Sequence, residues 1–280
     1  MNTNNNVYTV VYTTVIVVVV AAILAFVSQS LKAKQDANEK AETISQMLTS
    51  AGYGTKAELD LLNNIAKLDK YSEEIEEAFI INLDGEKVSD LDGITVYGPK
   101  DLKRQNYNIK GGANKTGEPE IPVFIFKNGR TVVPIYGAGL WGPIWGYISF
   151  NSDLTIGGAY FDHESETAGL GAKIKDDPSF QAEFVGEKAD FSEINVFDIV
   201  KGGAPKDADG KSVIDNKIDA ITGATMTSQG LDAAIDTWLA AYAKYFIGSK
   251  PACDKPCCGG HEEGEEPCEG NCEHHNEVEE

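Results

Sequence analysis

The stretch I-P-V-F-I-F-K-N-G-R-T-V-V-P-I-Y-G, residues 121–137, decides the fold. Two apolar runs rich in β-branched and aromatic residues flank Asn128-Gly129, a dipeptide suited to the positive φ angles of a two-residue hairpin turn. A hairpin commits the chain to antiparallel pairing. The sequence G-P-I-W-G-Y-I-S-F-N-S-D-L-T-I-G-G-A-Y-F-D-H, residues 142–163, adds two further strand-like runs. Upstream, A-F-I-I-N-L-D-G-E-K-V (78–88) reads as strand, Asp84-Gly85 turn, strand. Downstream, K-S-V-I-D-N-K-I-D-A-I-T (211–222) is one more strand candidate.

Helical patterns flank this sheet. Residues 28–50 place Leu31, Ala33, Ala37, Ala41, Ile44, Met47 and Leu48 near 3.6 spacing. T-K-A-E-L-D-L-L-N-N-I-A-K-L-D-K-Y (55–71) begins with a capping box, Thr55 as N-cap and Glu58 three residues later. Residues 228–247 carry one apolar stripe of Leu231, Ile235, Trp238, Tyr242 and Tyr245. The expected class is α+β: a single N-terminal membrane helix, then a mostly antiparallel sheet domain with flanking helices.

The membrane helix rests on residues 7–27, twenty-one in a row without a charge. As a helix they span roughly 32 Å at ~1.5 Å per residue, against a hydrocarbon core of about 30 Å. A cleaved signal peptide has a basic start and a shorter apolar run, whereas this chain starts M-N-T-N-N-N. The organisation read from the sequence is a transmembrane anchor at 1–30, a folded domain at 31–248, and a tail at 249–280. Lys32, Lys34 and Lys40 follow the anchor, and a positive-inside count alone favours a cytoplasmic domain.

The net charge is −20, from 24 basic and 44 acidic residues, which argues against nucleic acid as a partner. Residues 251–280 supply −9 of it, and all five cysteines also lie in the tail. Too poor in apolar residues to build a core, the tail is expected to be disordered unless a ligand orders it. Cys253, Cys257, Cys258, His261, Cys268, Cys272, His274 and His275 are its candidate zinc or copper ligands. C-x3-C is looser than the usual zinc knuckle, and five cysteines cannot all pair internally, so no metal site is assigned. His163-Glu164 lacks the second histidine of a helical zinc motif, and no Gly-rich dinucleotide fingerprint is present.

The chemically informative segment is D-A-I-T-G-A-T-M-T-S, residues 219–228. A helix starts here, with Thr227 or Ser228 as the expected N-cap. Gly223 and Ala224 permit close approach to the backbone, and the unpaired amides of a helix N-terminus suit a phosphate. Thr225 brings its own hydroxyl to that end. A threonine hydroxyl is a poor nucleophile without a base, so a covalent bond to it needs a separate transferase.

The segment resembles the flavinylation motif D-x-x-(S/T)-G-A-T through Asp219, Thr222, Gly223, Ala224 and Thr225. H-E-S-E-T-A-G-L-G (163–171) is similar to the E-T-P-G-L-G loop of the same proteins, with Ala168 in place of proline. G-A-G-L-W-G-P-I-W-G-Y-I (137–148) resembles their G-x-G-L-W segment, and V-K-G-G-A (200–204) fits as well. Together these resemble the FMN-binding domain family of the C subunit of the sodium-translocating NADH:quinone reductase (the Nqr complex), over roughly residues 1–248. The G subunit of the Rnf electron-transport complex shares this domain and is the alternative.

The resemblance implies FMN joined through its phosphate to Thr225, with Trp141 and Leu170 against the flavin ring and Leu140 also in the cofactor site. It implies that Glu166, Thr167, Gly171, Lys201, Thr222, Gly223 and Ala224 complete the cofactor site, with no acid–base catalytic residue. It further implies an electron relay within a complex that also holds A, B, D, E and F subunits and couples NADH oxidation and quinone reduction to Na⁺ export. A flavin transferase would mature the protein, which would be a single-pass protein of the inner membrane with its domain on the periplasmic side. A different class of reading keeps the threonine segment as a plain helix cap and makes the Cys/His tail the working part of an anchored metal-binding or interaction protein.

Overall fold

The computed structural model describes residues 6–191, 196–203, 205 and 216–248. The element order is α1 (Asn6–Ala51), α2 (Lys56–Asp60), α3 (Asn64–Glu74), β1 (Ile75–Ile81), β2 (Lys87–Asp90), α4 (Pro99–Lys110), β3 (Ile121–Phe126), β4 (Thr131–Ala138), β5 (Pro143–Phe150), β6 (Ile156–His163), α5 (Lys173–Asp176), α6 (Pro178–Ala182), β7 (Asp198–Val200), β8 (Lys217–Asp219) and α7 (Thr225–Gly248). Six strands form one sheet in the order β2-β1-β3-β4-β5-β6, every pair antiparallel. β7 and β8 make a separate parallel pair. The α+β expectation holds, as do the hairpins at Asn128-Gly129 and Asp84-Gly85, where both glycines have positive φ.

Side chains of β5 alternate between two helical layers. Trp145, Tyr147 and Ser149 face α1: the Trp145 indole donates to Gln46 (3.2 Å), and the Ser149 hydroxyl donates to the Ser50 carbonyl (2.6 Å). Phe150 faces α7, where its ring lies 5.0 Å from that of Phe246. The sheet is thus covered on both faces, which explains why β5 and β4 bury nearly continuous runs. Two glycines set how close the helices come. A Cβ on Gly158 would lie 2.3 Å from the Ser50 carbonyl oxygen, and one on Gly137 would lie 2.5 Å from the Ala234 Cβ.

The structure revises four expectations. The apolar run 7–27 and the helical pattern 28–50 are one helix, α1, because no cap or breaker separates them. The pattern at 55–71 is two helices. Thr55 and Glu58 form the expected capping box, but Asn63 caps a second start by accepting from the Ala66 N–H. α4 has no counterpart among the patterns above; its buried face holds Leu102, Gln105, Asn106 and Asn108, so polar residues hide its amphipathic character. α7 begins at Thr225, ahead of both expected N-caps and at least three residues before the expected start. Neither Thr227 nor Ser228 is therefore the N-cap, although the Ser228 hydroxyl accepts from the Ile221 N–H at 3.0 Å. Of the stripe on α7, Leu231, Ile235, Trp238 and Tyr242 are fully buried and Tyr245 partly.

Candidate functional site

Three segments meet at one end of the sheet: the β4–β5 turn (139–142), the loop after β6 (164–172), and the start of α7. The turn is tight, with the Gly139 N–H donating to the Gly142 carbonyl at 2.8 Å. Glu166 ties all three together. Its Oε1 accepts from the Trp141 N–H at 2.9 Å, and its Oε2 accepts from the Thr227 hydroxyl at 2.6 Å. Its own N–H donates to His163 Nδ1 at 3.1 Å. The Ser165 hydroxyl adds a bond to the Trp141 carbonyl at 3.0 Å.

The glycines of the sequence motifs have a steric reason. A Cβ on Gly139 would lie 2.4 Å from Glu166 Oε1, and one on Gly171 would lie 2.4 Å from Oε2 and 2.5 Å from the Thr227 hydroxyl. The carboxylate is clamped between two backbones that only glycine lets approach. Gly230 does the same for α7, where a Cβ would meet the Ala138 carbonyl oxygen at 2.2 Å.

Around the start of α7 the surface is apolar. Leu140, Trp141, Leu170 and Met226 are all exposed, Trp141 at 67%. Trp141 is therefore not a core residue. Gly223 has φ +82°, and a Cβ there would lie 3.2 Å from Leu170 Cδ2, so the T-G-A-T turn packs under the Leu170 side chain. Thr225 is half-buried, Thr222 and Gly223 are exposed, and Ala224 is buried. Ser228 N–H makes the first helical bond, to the Ala224 carbonyl. The N–H groups of Thr225, Met226 and Thr227 precede it and have no helical carbonyl to reach. They form a positive helix end beside the Thr225 hydroxyl.

Thr167 is exposed, and its carbonyl accepts from Leu170 and Ala172 to close the loop. Lys201 is exposed on the turn after β7, whose last residue, Val200, pairs with Asp219 ahead of the T-G-A-T turn. Met226 and Ser165 join the site without a signal in the sequence. No motif marks Met226, and the Ser165 contact with Trp141 spans 24 residues. Thr227 is not a cap; its hydroxyl instead holds Glu166. The tail candidates from Cys253 to His275, and Ala204 of the V-K-G-G-A segment, lie outside the described residues.

These residues fit an FMN. One indole and three aliphatic side chains stand exposed beside a helix end suited to an anion, and a small-residue turn leaves the Thr225 hydroxyl approachable.

Comparison with known proteins agrees. The FMN-binding domain family matches residues 139–240, the span that contains all three segments. The chain is 33% identical over 123 residues to the C subunit of the Na(+)-translocating NADH-quinone reductase of Vibrio anguillarum, an alignment covering 42% of this chain and 46% of that one. The corresponding C subunit of Pasteurella multocida is 35% identical over 123 residues, with 42% and 45% covered. The matched region thus spans about half the length of these curated relatives. Among solved structures, the C subunit from Parabacteroides distasonis is 33% identical, with 77% of this chain and 96% of that chain covered and a TM-score of 0.59. NqrC from Shewanella oneidensis is 26% identical, with 76% and 97% covered and a TM-score of 0.56.

Proposed function

The chain belongs to the NqrC family, the C subunits of the Na(+)-translocating NADH-quinone reductase, and from that premise we propose that it is a membrane-anchored flavoprotein carrying FMN in phosphoester linkage to Thr225. Residues 1–30 form the anchor and residues 31–248 the flavin-binding domain. The observation that carries the reading is the half-buried Thr225 at the open end of α7, where Leu140, Trp141, Leu170 and Met226 of the same three segments are exposed.

FMN, when bound, supplies one- and two-electron redox chemistry. The chain's own residues hold it. The amides of Thr225, Met226 and Thr227 would hold the phosphate, and Trp141 and Leu170 would offer apolar surface to the ring. Glu166 acts one step back, by fixing the Trp141 backbone and the first turn of α7. Thr167, Gly171, Thr222, Gly223 and Ala224 shape the turns around the cofactor, and Lys201 adds positive charge from the β7 turn. No residue here is asked to move a proton, which suits an electron relay.

The site's position supports a partner at the membrane. Along α1, Gln46 meets Trp145 and Asp162, while Ser50, further from the anchor, meets Ser149. The β4–β5 turn therefore lies at the end of the sheet nearer the anchor. Residues 6–51 form one helix whose first part is long and apolar enough to cross a membrane and makes no burial against the body. In this reading the flavin faces the bilayer side and exchanges electrons with neighbours among the A, B, D, E and F subunits. The whole complex oxidises NADH, reduces quinone and exports Na⁺. The body lies on the periplasmic side of the inner membrane, where a flavin transferase attaches the cofactor.

The test is in-gel flavin fluorescence of the denatured full chain co-expressed with a flavin transferase. The wild type is expected to fluoresce, Thr225→Val to be dark, and Thr222→Ser, which keeps the motif, to keep the signal. A fluorescent Thr225→Val band moves the linkage elsewhere.

A further inference from the structure

Glu166 is 7% exposed, yet no lysine or arginine pairs with it among the described residues. Asp162, earlier in the same stretch, shows the ordinary arrangement. It is 4% exposed, and Lys175 Nζ meets its Oδ1 at 2.8 Å. A buried carboxylate without such a cation is costly. His163 does not supply the missing charge. Its Nδ1 accepts from the Glu166 N–H, so that nitrogen carries no proton and the imidazole is neutral. What holds the carboxylate is uncharged: the Trp141 N–H on Oε1, the Thr227 hydroxyl on Oε2, and the positive first turn of α7 to which Thr227 belongs. Both oxygens accept, which is the pattern of the ionised form. Geometry alone does not call for a charge here. A glutamine in the same place accepts from Trp141 through its carbonyl, and the Thr227 hydroxyl turns to accept from its amide.

We infer that the Glu166 charge sets the reduction potential of the flavin and holds it low. The inference rests on the flavin reading above and deepens it. Thr227 lies in the same first turn of α7 as Thr225, and the Trp141 backbone carries the exposed indole. The carboxylate is therefore bonded to both sides of the cofactor site. FMN gains negative charge whenever an electron arrives without a proton. A fixed negative charge nearby opposes that gain, so the electron is held less tightly and passed on more readily. Burial strengthens the effect, because a charge in a protein interior acts several times more strongly than one across water. Glu164 provides the contrast. A Cβ on Gly142 would lie 3.5 Å from the Glu164 Cβ, so this carboxylate stands beside the same 139–142 turn. It is exposed, and water and salt screen it. Of the two carboxylates at this turn, only the buried one acts on the flavin at physiological ionic strength.

Two measurements on the full chain test this. The first needs no cofactor. Infrared difference spectra at neutral pH, wild type against Glu166→Gln, both made without the transferase, are expected to show loss of a carboxylate band. Loss of a protonated carboxyl band instead overturns the inference. The second is a spectroelectrochemical titration of the chain carrying FMN. Glu166→Gln is expected to raise the potential, favouring electron uptake about threefold or more, and Glu166→Met, uncharged and of similar length, should shift it the same way. Glu164→Gln is expected to give less than about a third of that shift. Thr227→Val keeps the charge and loses the hydrogen bond, so it should not raise the potential. An unchanged potential in the folded, flavin-loaded Glu166 variants, or an equal rise in Glu164→Gln or Thr227→Val, overturns the inference and leaves the flavin reading standing. In-gel fluorescence of the same preparations is read in parallel. A wild-type chain that carries no flavin overturns the flavin reading and this inference with it.

Discussion

The Thr227 hydroxyl donates to Glu166 Oε2 at 2.6 Å, joining the first turn of α7 to a loop 61 residues earlier in the chain. Both residues are buried, and the other oxygen of the same carboxylate holds the Trp141 N–H. The ends of three segments thus share a single side chain.

Removing that side chain strands a hydroxyl and a backbone N–H. Glu166→Ala is expected to destabilise the body by about 1–3 kcal/mol, the cost of unsatisfied buried donors. Glu166→Gln keeps an acceptor for Trp141 while the Thr227 hydroxyl rotates to accept, so its effect is smaller. Thr227→Val combined with Glu166→Ala should cost less than the two single changes added together. Chemical denaturation of the four proteins reads this directly, and additive losses would show that the pair does not act as a unit.

Gly223 combines a backbone and a packing requirement. Its φ of +82° costs an L-residue roughly 1–2 kcal/mol, and a Cβ would sit 3.2 Å from Leu170 Cδ2. Gly111 also has positive φ, +69°, but nothing lies near its Cβ position. Gly111→Ala should therefore lower stability while leaving flavin content per chain unchanged. Gly223→Ala should lower both. Equal flavin content in the two variants, measured by absorbance of the purified protein, would remove Gly223 from the site.

Asp236 gives the body an unusual pH response. Burial raises its carboxyl from the ordinary 3.8 to about 6, with Asp232 and then Asp198 adding like charge. Its Oδ1 is buried without a hydrogen-bond partner among the described residues. Between about pH 4 and 6 the unfolded chain has lost this proton and the folded chain still holds it. The unfolded state then binds fewer protons, so this group's contribution to stability falls as pH rises through that window. Asp236→Asn should raise the melting temperature at pH 7 and flatten the slope between pH 4 and 6. An unchanged slope in thermal scans across that range would assign it to other groups.

Trp238 is the largest fully buried side chain, and its indole N–H donates to the Tyr136 carbonyl at 2.9 Å and Asn106 at 3.2 Å. Trp238→Ala is expected to cost about 3–5 kcal/mol. Trp238→Phe should cost less, because it keeps much of the ring volume and loses mainly the hydrogen bonds. Melting temperatures in that order check the assignment.

Much of the sheet is legible in the chain itself. The hairpins at Asn128-Gly129 and Asp84-Gly85 are readable because turn residues and strand patterning act over a few positions. The apolar stripe of α7 is readable for the same reason, since its period is local. α4 is not: it buries Gln105, Asn106 and Asn108, and their burial is tolerated because Asn108 and Gln105 bond to each other and to the 116–120 segment, while Asn106 accepts from the Trp238 indole. The split between α2 and α3 is hidden inside one continuous helical pattern, with Asn63 giving the only local mark.

The sequence by itself determined the long apolar N-terminal helix, the antiparallel core and the T-G-A-T turn, since length, period and turn chemistry are properties of neighbouring residues. It could mark Glu166 and Trp141 as belonging together only by resemblance. The tertiary structure decided what they do. Glu166 turns inward to bind Trp141 and Thr227, because Gly139 and Gly171 leave room for a carboxylate between their backbones. Trp141 turns outward, because the tight turn at 139–142 carries it past the edge of the sheet. Contacts between residues 25 and 61 positions apart have no local period to betray them, and only the folded chain brings them within hydrogen-bond distance.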